Sequence, residues 1–574
     1  MKIFTLLVFC IFLSSGDSTS TFSYDHSATA ECLKELERVQ YKGGIVYNPE
    51  FNYGLEGWTE SGGGAKREVR SKGGNKFIVL HDRTKSFDSL LHNVQLQKSN
   101  IYSFSAWVQT NKGTETIAVV FRTPSGGEII GGRIEAKHGC WSLLKGGMVA
   151  NFSGSVDVLL KTKHKAVDIW VDNVSLQPFT PQQWRSNQEK IIDKIRKSKV
   201  RFRVSTVNGT IVEGAEISIN QVKSDFPFGC GMNYHILTSQ DYRDWFSSRF
   251  RFSSFTNEMK WYSTEKKPGE ENYTIPDAMM SFCRENDIFV RGHNILWDNP
   301  KMQPSWVKNL PSDELLVAAI RRTNSVVSRY KGQLICWDVM NENLHFRFYE
   351  DKLGENASAI FYSLAYGLDS YTSMFMNEYN TIELGKDASS TPIKYKEKIQ
   401  QLLSYPEVKG MLAGIGLQGH FNDEQPNIPY IRTALDILGT TGVPIWLTEV
   451  DVEKNPNQAE YLEEILREAY SHPAVEGIII FGGPIVAGFS NMTLADENFM
   501  NTPTGDVVDQ LIKEWRTENQ TALADNQGFC EINLFHGDYK VTVKHPLTNI
   551  SSAFDLRVTK QIPRQSVNIQ IGNI

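Results

Sequence analysis

The sequence predicts an α/β protein: a closed (β/α)8 TIM barrel preceded by a β-sandwich, with a small C-terminal β segment. Three observations carry this. Eight short apolar runs alternate with helical stretches over residues 185–520, the pattern of a parallel sheet closed on itself. Residues 43–178 alternate with period two and lack helical periodicity, the pattern of a sandwich. A chain of 574 residues, 40% hydrophobic and 22% charged, is long for one domain and too apolar to be disordered.

In chain order, Met1-Lys2, the apolar run Ile3–Leu13 and a small-residue end predict a signal peptide over 1–20, too short to span a bilayer. The expected product is secreted, with no membrane partner once the signal is removed. Sequons at Asn151, Asn173, Asn208, Asn272, Asn356, Asn491, Asn519 and Asn549 suit that route, though any single one can go unused. Six cysteines remain after Cys10 leaves with the signal. An even number permits disulfides without fixing the pairing; Cys32 with Cys140 is the expected pair because both flank the N-terminal module. No cysteine spacing matches a zinc motif, so neither metal nor cofactor is expected. A net charge of −6 disfavours nucleic acid as a partner.

The sandwich opens at Asn48-Pro-Glu-Phe-Asn-Tyr-Gly-Leu-Glu-Gly-Trp58 and closes at Val167–Leu176, with alternating runs at Ile101–Val108 and Thr116–Phe121 between them. Trp184–Lys197 is helical in pattern and Val200–Ile219 alternates again. Far downstream, Gly528–Val543 alternates too. Residues 521–574 are therefore expected to pack with 200–220 as one β layer, an independent appendage being the alternative. The barrel strands are expected at Phe226–Gly231, Phe250–Phe255, Phe289–Leu296, Leu334–Val339, Tyr371–Met376, Leu412–Leu417, Pro444–Leu447 and Val475–Phe481. Glu342 then follows strand four and Glu449 follows strand seven, on the face where such barrels carry their active sites. Two carboxylates there are the minimum equipment for cleaving a glycosidic bond.

Several runs together resemble glycoside hydrolase family 10, the endo-β-1,4-xylanases, and its plant members in particular. They are Trp337-Asp-Val-Met-Asn-Glu342, Arg291-Gly-His-Asn-Ile-Leu-Trp297, Gly414-Ile-Gly-Leu-Gln-Gly-His420, Trp446-Leu-Thr-Glu-Val-Asp451, Asn257-Glu-Met-Lys-Trp261 and Phe375-Met-Asn-Glu-Tyr-Asn380, in matching order over roughly 185–520. The ends of the sandwich resemble a family 22 carbohydrate-binding module, which implies a jelly-roll β-sandwich. The resemblance implies a retaining mechanism on xylan or heteroxylan, with Glu342 as acid/base and Glu449 as nucleophile. It also implies that Asn341 and Gln418 face the sugar, that His420 bonds the nucleophile, and that Asp451 orients His420. Asn257, Lys260, His293 and Trp297 match the positions that hold sugars on the non-reducing side. Trp261 and Trp446 are read as barrel wall.

Three departures bear on activity. Thr256 stands where the family often has Glu, Asp298 where many members have His, and Phe481-Gly-Gly-Pro484 where a Trp-Gly is usual. They leave two other readings open: a transglycosylase passing the glycosyl group to another chain, and a weakly catalytic polysaccharide-binding protein.

Overall fold

Strand alternation in the first third of the chain yields two five-stranded antiparallel sheets. A computed structural model describes residues 23–27, 32–408 and 410–572; the expected signal segment lies outside them. One sheet comprises Trp58–Ser61, Ser89–Leu96, Gly154–Thr162, Thr114–Arg122 and Glu128–Lys137. The other comprises Lys66–Lys72, Asn75–His81, Ile169–Phe179, Ile101–Thr110 and Ser142–Val149. Inward side chains of both sheets, Trp58, Leu80, Phe104, Phe121 and Leu160 among them, form one core. Ile101–Thr110 departs from simple alternation because all ten of its residues are buried. Its outer face is covered as well: Trp107 packs with Phe77, Trp141 and the N-terminal Leu33, and Ile101 joins the barrel core. A disulfide between Cys32 and Cys140 ties that N-terminal segment to the sheet.

Helix Pro181–Ile195, capped by Thr180 and Gln183 in a reciprocal box, leads from the sandwich into a β layer made of two sheets, one of three strands and one of four. There Lys197–Thr206 pairs antiparallel with Phe529–Phe535 and parallel with Arg564–Ile571. Glu216–Ser224 pairs with Gln520–Leu523 and with Gly537–Lys544, which in turn pairs with Ser551–Val558. The turn at Asn208-Gly209, where Gly209 has φ +83°, separates Lys197–Thr206 from Glu216–Ser224. Val200, Phe202, Ile217, Tyr539, Val541 and Leu556 fill the layer's core.

The barrel strands are β1 Phe228–Met232, β2 Phe252–Phe255, β3 Phe289–Gly292, β4 Cys336–Asn341, β5 Ser373–Glu378, β6 Leu412–Leu417, β7 Ile445–Val452 and β8 Val475–Ile480. Every neighbouring pair is parallel, and β8 returns to β1 while β3 meets β4, which closes the ring. Near-continuous apolar runs suit strands buried on both faces. Two short strands extend the rim at the C-terminal ends of β4 and β7. Leu296–Trp297 pairs with the end of β4 and His420–Phe421 with the end of β7. Among the described residues, no helix is long and apolar enough to cross a membrane.

The sandwich is seated on the barrel. Strand Ser142–Val149 packs against helix Ile428–Gly439, and Asn427 donates its amide to Gly147 O at 3.1 Å. Lys145 is 1% exposed in this seam. Its ammonium donates to Asp25 O (2.7 Å) and Ser27 O (3.0 Å), lies 3.6 Å from Asp436 of the barrel helix, and sits over the Tyr24 ring.

Candidate active site

β4 ends in Asn341-Glu342 and β7 carries Thr448-Glu449, so the parallel geometry brings both acids to one mouth. Glu342 has φ +61°, a left-handed conformation that costs a non-glycine residue about 1–2 kcal/mol. Its N–H donates to Asn377 O at 2.9 Å and its own C=O accepts from Phe346 N at 3.1 Å, which hold the turn. Both carboxyls are more than nine-tenths buried.

Their surroundings differ. Burial raises the Glu342 pKa above its ordinary value, and the nearby Glu378 and Glu449 charges add to that, while the Trp297 indole and the Gln418 amide (3.3 Å) act the other way. Burial would also raise Glu449, but its basic neighbours override it. The His293 Nε2 lies at 3.7 Å, the His420 Nε2 at 3.6 Å, and Lys260 stands close enough to contribute, so this carboxyl is held well below the usual carboxylate range. Asn377 also donates to Glu449 Oε1 at 3.0 Å. Opposite shifts on two neighbouring acids are how one site keeps a proton donor beside an ionised carboxylate.

Supporting contacts fix the geometry. Asp451 accepts from His420 Nδ1 at 2.8 Å and from the Asn491 amide at 3.1 Å. Burial alone would lower the His420 pKa, yet the two carboxylates it touches raise it well above its ordinary value. His293 Nδ1 meets Asp338 at 2.9 Å, and the other oxygen of Asp338 accepts from Arg291 at 2.6 Å, inside the barrel. Asn341 Oδ1 accepts from Asn377 at 2.9 Å, and its buried amide nitrogen has no partner among the described residues, a donor available at the mouth. On the adjoining edge, the Lys260 ammonium donates to Asn257 Oδ1 at 3.3 Å and lies 4.7 Å from the centre of the Trp297 ring. Burial lowers the Lys260 pKa, opposed by Glu449 and Glu342.

All ten candidate residues therefore gather at the C-terminal ends of β2, β3, β4, β6 and β7. Trp261 is buried, bonded to Glu265 at 2.8 Å and packed on Trp306, while Trp446 packs on Phe375 and Arg291 in the wall. Asp338 and Asn377 were not among the candidates. Asn377 had a legible signal, since it stands in Phe375-Met-Asn-Glu-Tyr-Asn380 directly across from Asn341 in the β4–β5 register. Of the departures, Asp298 is fully buried, bonded to Tyr349 N and Asn343, and pushed up to about 7 by burial. Thr256 is buried beside Glu258, whose carboxylate accepts from Asn257 N at 2.9 Å. Phe481 sets its ring edge-on to His420 at 5.8 Å.

The model of the glycosyl hydrolase family 10 matches residues 218–484, and that of a carbohydrate binding domain matches 43–144. The chain is 48% identical over 581 residues to "Endo-1,4-beta-xylanase 5-like" of Arabidopsis thaliana, covering 98% of this chain and 97% of that protein. The chain belongs to glycosyl hydrolase family 10. Two further Arabidopsis thaliana relatives, "Endo-1,4-beta-xylanase 5" and "Endo-1,4-beta-xylanase 4", are 47% and 45% identical to this family 10 chain. They cover 99% and 97% of it, at 98% and 95% of their own lengths. The family match spans β1 to β8 and both glutamates.

Proposed function

We propose that the protein is a secreted endo-β-1,4-xylanase that binds cell-wall xylan and hydrolyses its backbone with retention, through a glycosyl-enzyme intermediate. Glu449 attacks the anomeric carbon as Glu342 protonates the departing oxygen. A water, deprotonated by Glu342, then releases the sugar, so the proton lent in the first step is recovered in the second. One observation carries this reading: Glu342 is pushed up and Glu449 held down by their surroundings within one cleft. Asn341 offers its amide to the sugar hydroxyl nearest the reacting carbon, and Asp451 fixes the orientation in which the His420 ring faces the nucleophile. Asn257, Lys260, His293 and Trp297 form the sugar-holding edge, Trp297 by stacking and the others by hydrogen bonds, with Gln418 beside the acid. The matched carbohydrate binding domain serves to keep the enzyme on the polymer.

The test is a reducing-sugar assay on xylan, with and without an oligosaccharide acceptor, with products sized. New reducing ends and shorter products support hydrolysis. Products longer than the substrate in the presence of acceptor would favour transfer, the outcome to which an open site at Phe481 would lead. No products would leave only a binding role. Glu342→Ala gives the assignment of roles: slow on xylan, faster on an aryl xylobioside, and accelerated by azide to a β-glycosyl azide. An α-azide would reverse the stereochemical reading.

A further inference from the structure

The loop between β5 and helix Pro392–Ser404 is gripped from two sides. On its inner side, the buried Glu383 carboxylate accepts from the backbone N–H groups of Gly419 (2.8 Å) and His420 (3.1 Å). Asp387 of the same loop accepts from His345 Nε2 (3.0 Å) and Asn380 (2.8 Å), and the His345 ring stacks on Tyr379 at 3.8 Å. On its outer side, Arg133 of the sandwich strand Glu128–Lys137 donates to Gly385 O at 3.3 Å. A Cβ at Gly385 would lie 3.2 Å from Ile130 O of the sandwich and 3.2 Å from the Tyr430 ring. Tyr430 in turn donates its hydroxyl to Thr381 O at 3.2 Å.

We propose that the N-terminal sandwich is a structural part of the active site. It clamps the loop through Arg133 and the close approach at Gly385, and the loop holds His420 beside Glu449 through Glu383. Arg133 is thus a positioning residue, acting on the nucleophile through the loop and His420. This rests on the catalytic reading above. The charged groups facing Glu449 are His293 after β3, Lys260 after β2, Glu342 after β4, His420 after β6 and Asp451 in β7. Of these, His420 has its backbone N–H bonded to the clamped loop. The groups facing Arg133 are the Tyr430 hydroxyl and the loop carbonyls.

The measurement is kcat, KM and the pH profile on a soluble xylo-oligosaccharide, using full-length Arg133→Ala, Arg133→Lys and Gly385→Val. If the clamp operates, Arg133→Ala lowers kcat by about three- to tenfold with KM nearly unchanged, the scale expected of a displacement well under 1 Å. The acidic limb of the profile moves to higher pH, because Glu449 loses part of the His420 influence that keeps it ionised. Arg133→Lys, which keeps a donor, recovers most of the loss, and Gly385→Val gives the same signature as Arg133→Ala. Wild-type kcat and an unaltered profile in Arg133→Ala overturn the clamp even if Gly385→Val fails to fold. An inactive wild-type protein would instead remove the catalytic reading on which it rests.

Discussion

Asn377 shows how much a site of this kind depends on amides. Its nitrogen serves Asn341 and Glu449 at once, and its oxygen accepts from Thr448 at 2.6 Å, so its orientation is fixed by three neighbours. Glu342 and Glu449 were legible because each ends a β-strand run in an acid that a barrel would otherwise keep out of its core. Asn377 was legible only in part: the run that carries it stood out, but its role lies in partners on two other strands, β4 and β7. At the same scale, His420 gives a pH prediction. Glu449 works ionised, and burial alone would raise its pKa. Removing the imidazole takes away one of the influences that hold it down, so the folded pKa rises. The acidic limb of kcat/KM in His420→Gln therefore moves to higher pH, while the alkaline limb, set by Glu342, stays in place. A pH titration of kcat/KM checks this; an unmoved acidic limb would show that His293 and Lys260 suffice.

Strand Ile169–Phe179 illustrates what alternation alone conceals. Its pairing with Ile101–Thr110 slips between Asp172 and Ser175, and Asn173 in the slip takes φ +49°. That turn buries the Asn173 side chain, whose amide donates to Glu37 O at 2.6 Å, and leaves no room for a glycan. Asn151, by contrast, is exposed between strands. Glycopeptide mapping of protein secreted from a glycosylating host is expected to find Asn151 available for modification and Asn173 bare; a glycan at Asn173 would mean that the slip is refolded in the secreted form. The sequence marks both sequons equally, because a bulge is decided by the neighbouring strands. The same limit hid the double-sided burial of Ile101–Thr110, whose outer face is covered by Phe77, Trp141 and Leu33 of the N-terminal region and, at Ile101, by the barrel. The eight barrel strands were legible to within a few residues, since each is an apolar run long enough to need burial on both faces.

For the whole molecule, the seam between sandwich and barrel matters more than a tether would. Lys145 and Asp436 are both buried there, and Lys145, His472 and Arg432 keep Asp436 ionised against the burial that would raise its pKa. Lys145→Ala removes the largest of these influences and the bonds to Asp25 O and Ser27 O, and is expected to destabilise the protein by about 1–3 kcal/mol, read as a clear fall in Tm, whereas exposed pairs such as Lys66–Asp82 contribute little. An unchanged Tm would mean that water reaches Asp436. Removing residues up to about 180 would likewise uncover helix Ile428–Gly439, so the effect of truncation on soluble oligomers reports on the seam as well as on binding. The β layer has a consequence of another kind, in time. Strand Lys197–Thr206 is made before any of the barrel, yet both its neighbours, Phe529–Phe535 and Arg564–Ile571, are made after the barrel is complete. Throughout synthesis it is an open edge on a nascent chain, flanked by alternating apolar side chains and able to pair with other chains. Its lysines and arginines at 197, 199, 201 and 203 put positive charge on that strand, which guards against premature pairing until Phe529 arrives to take Arg201 and Arg203 over its ring and Glu531 to face Lys199.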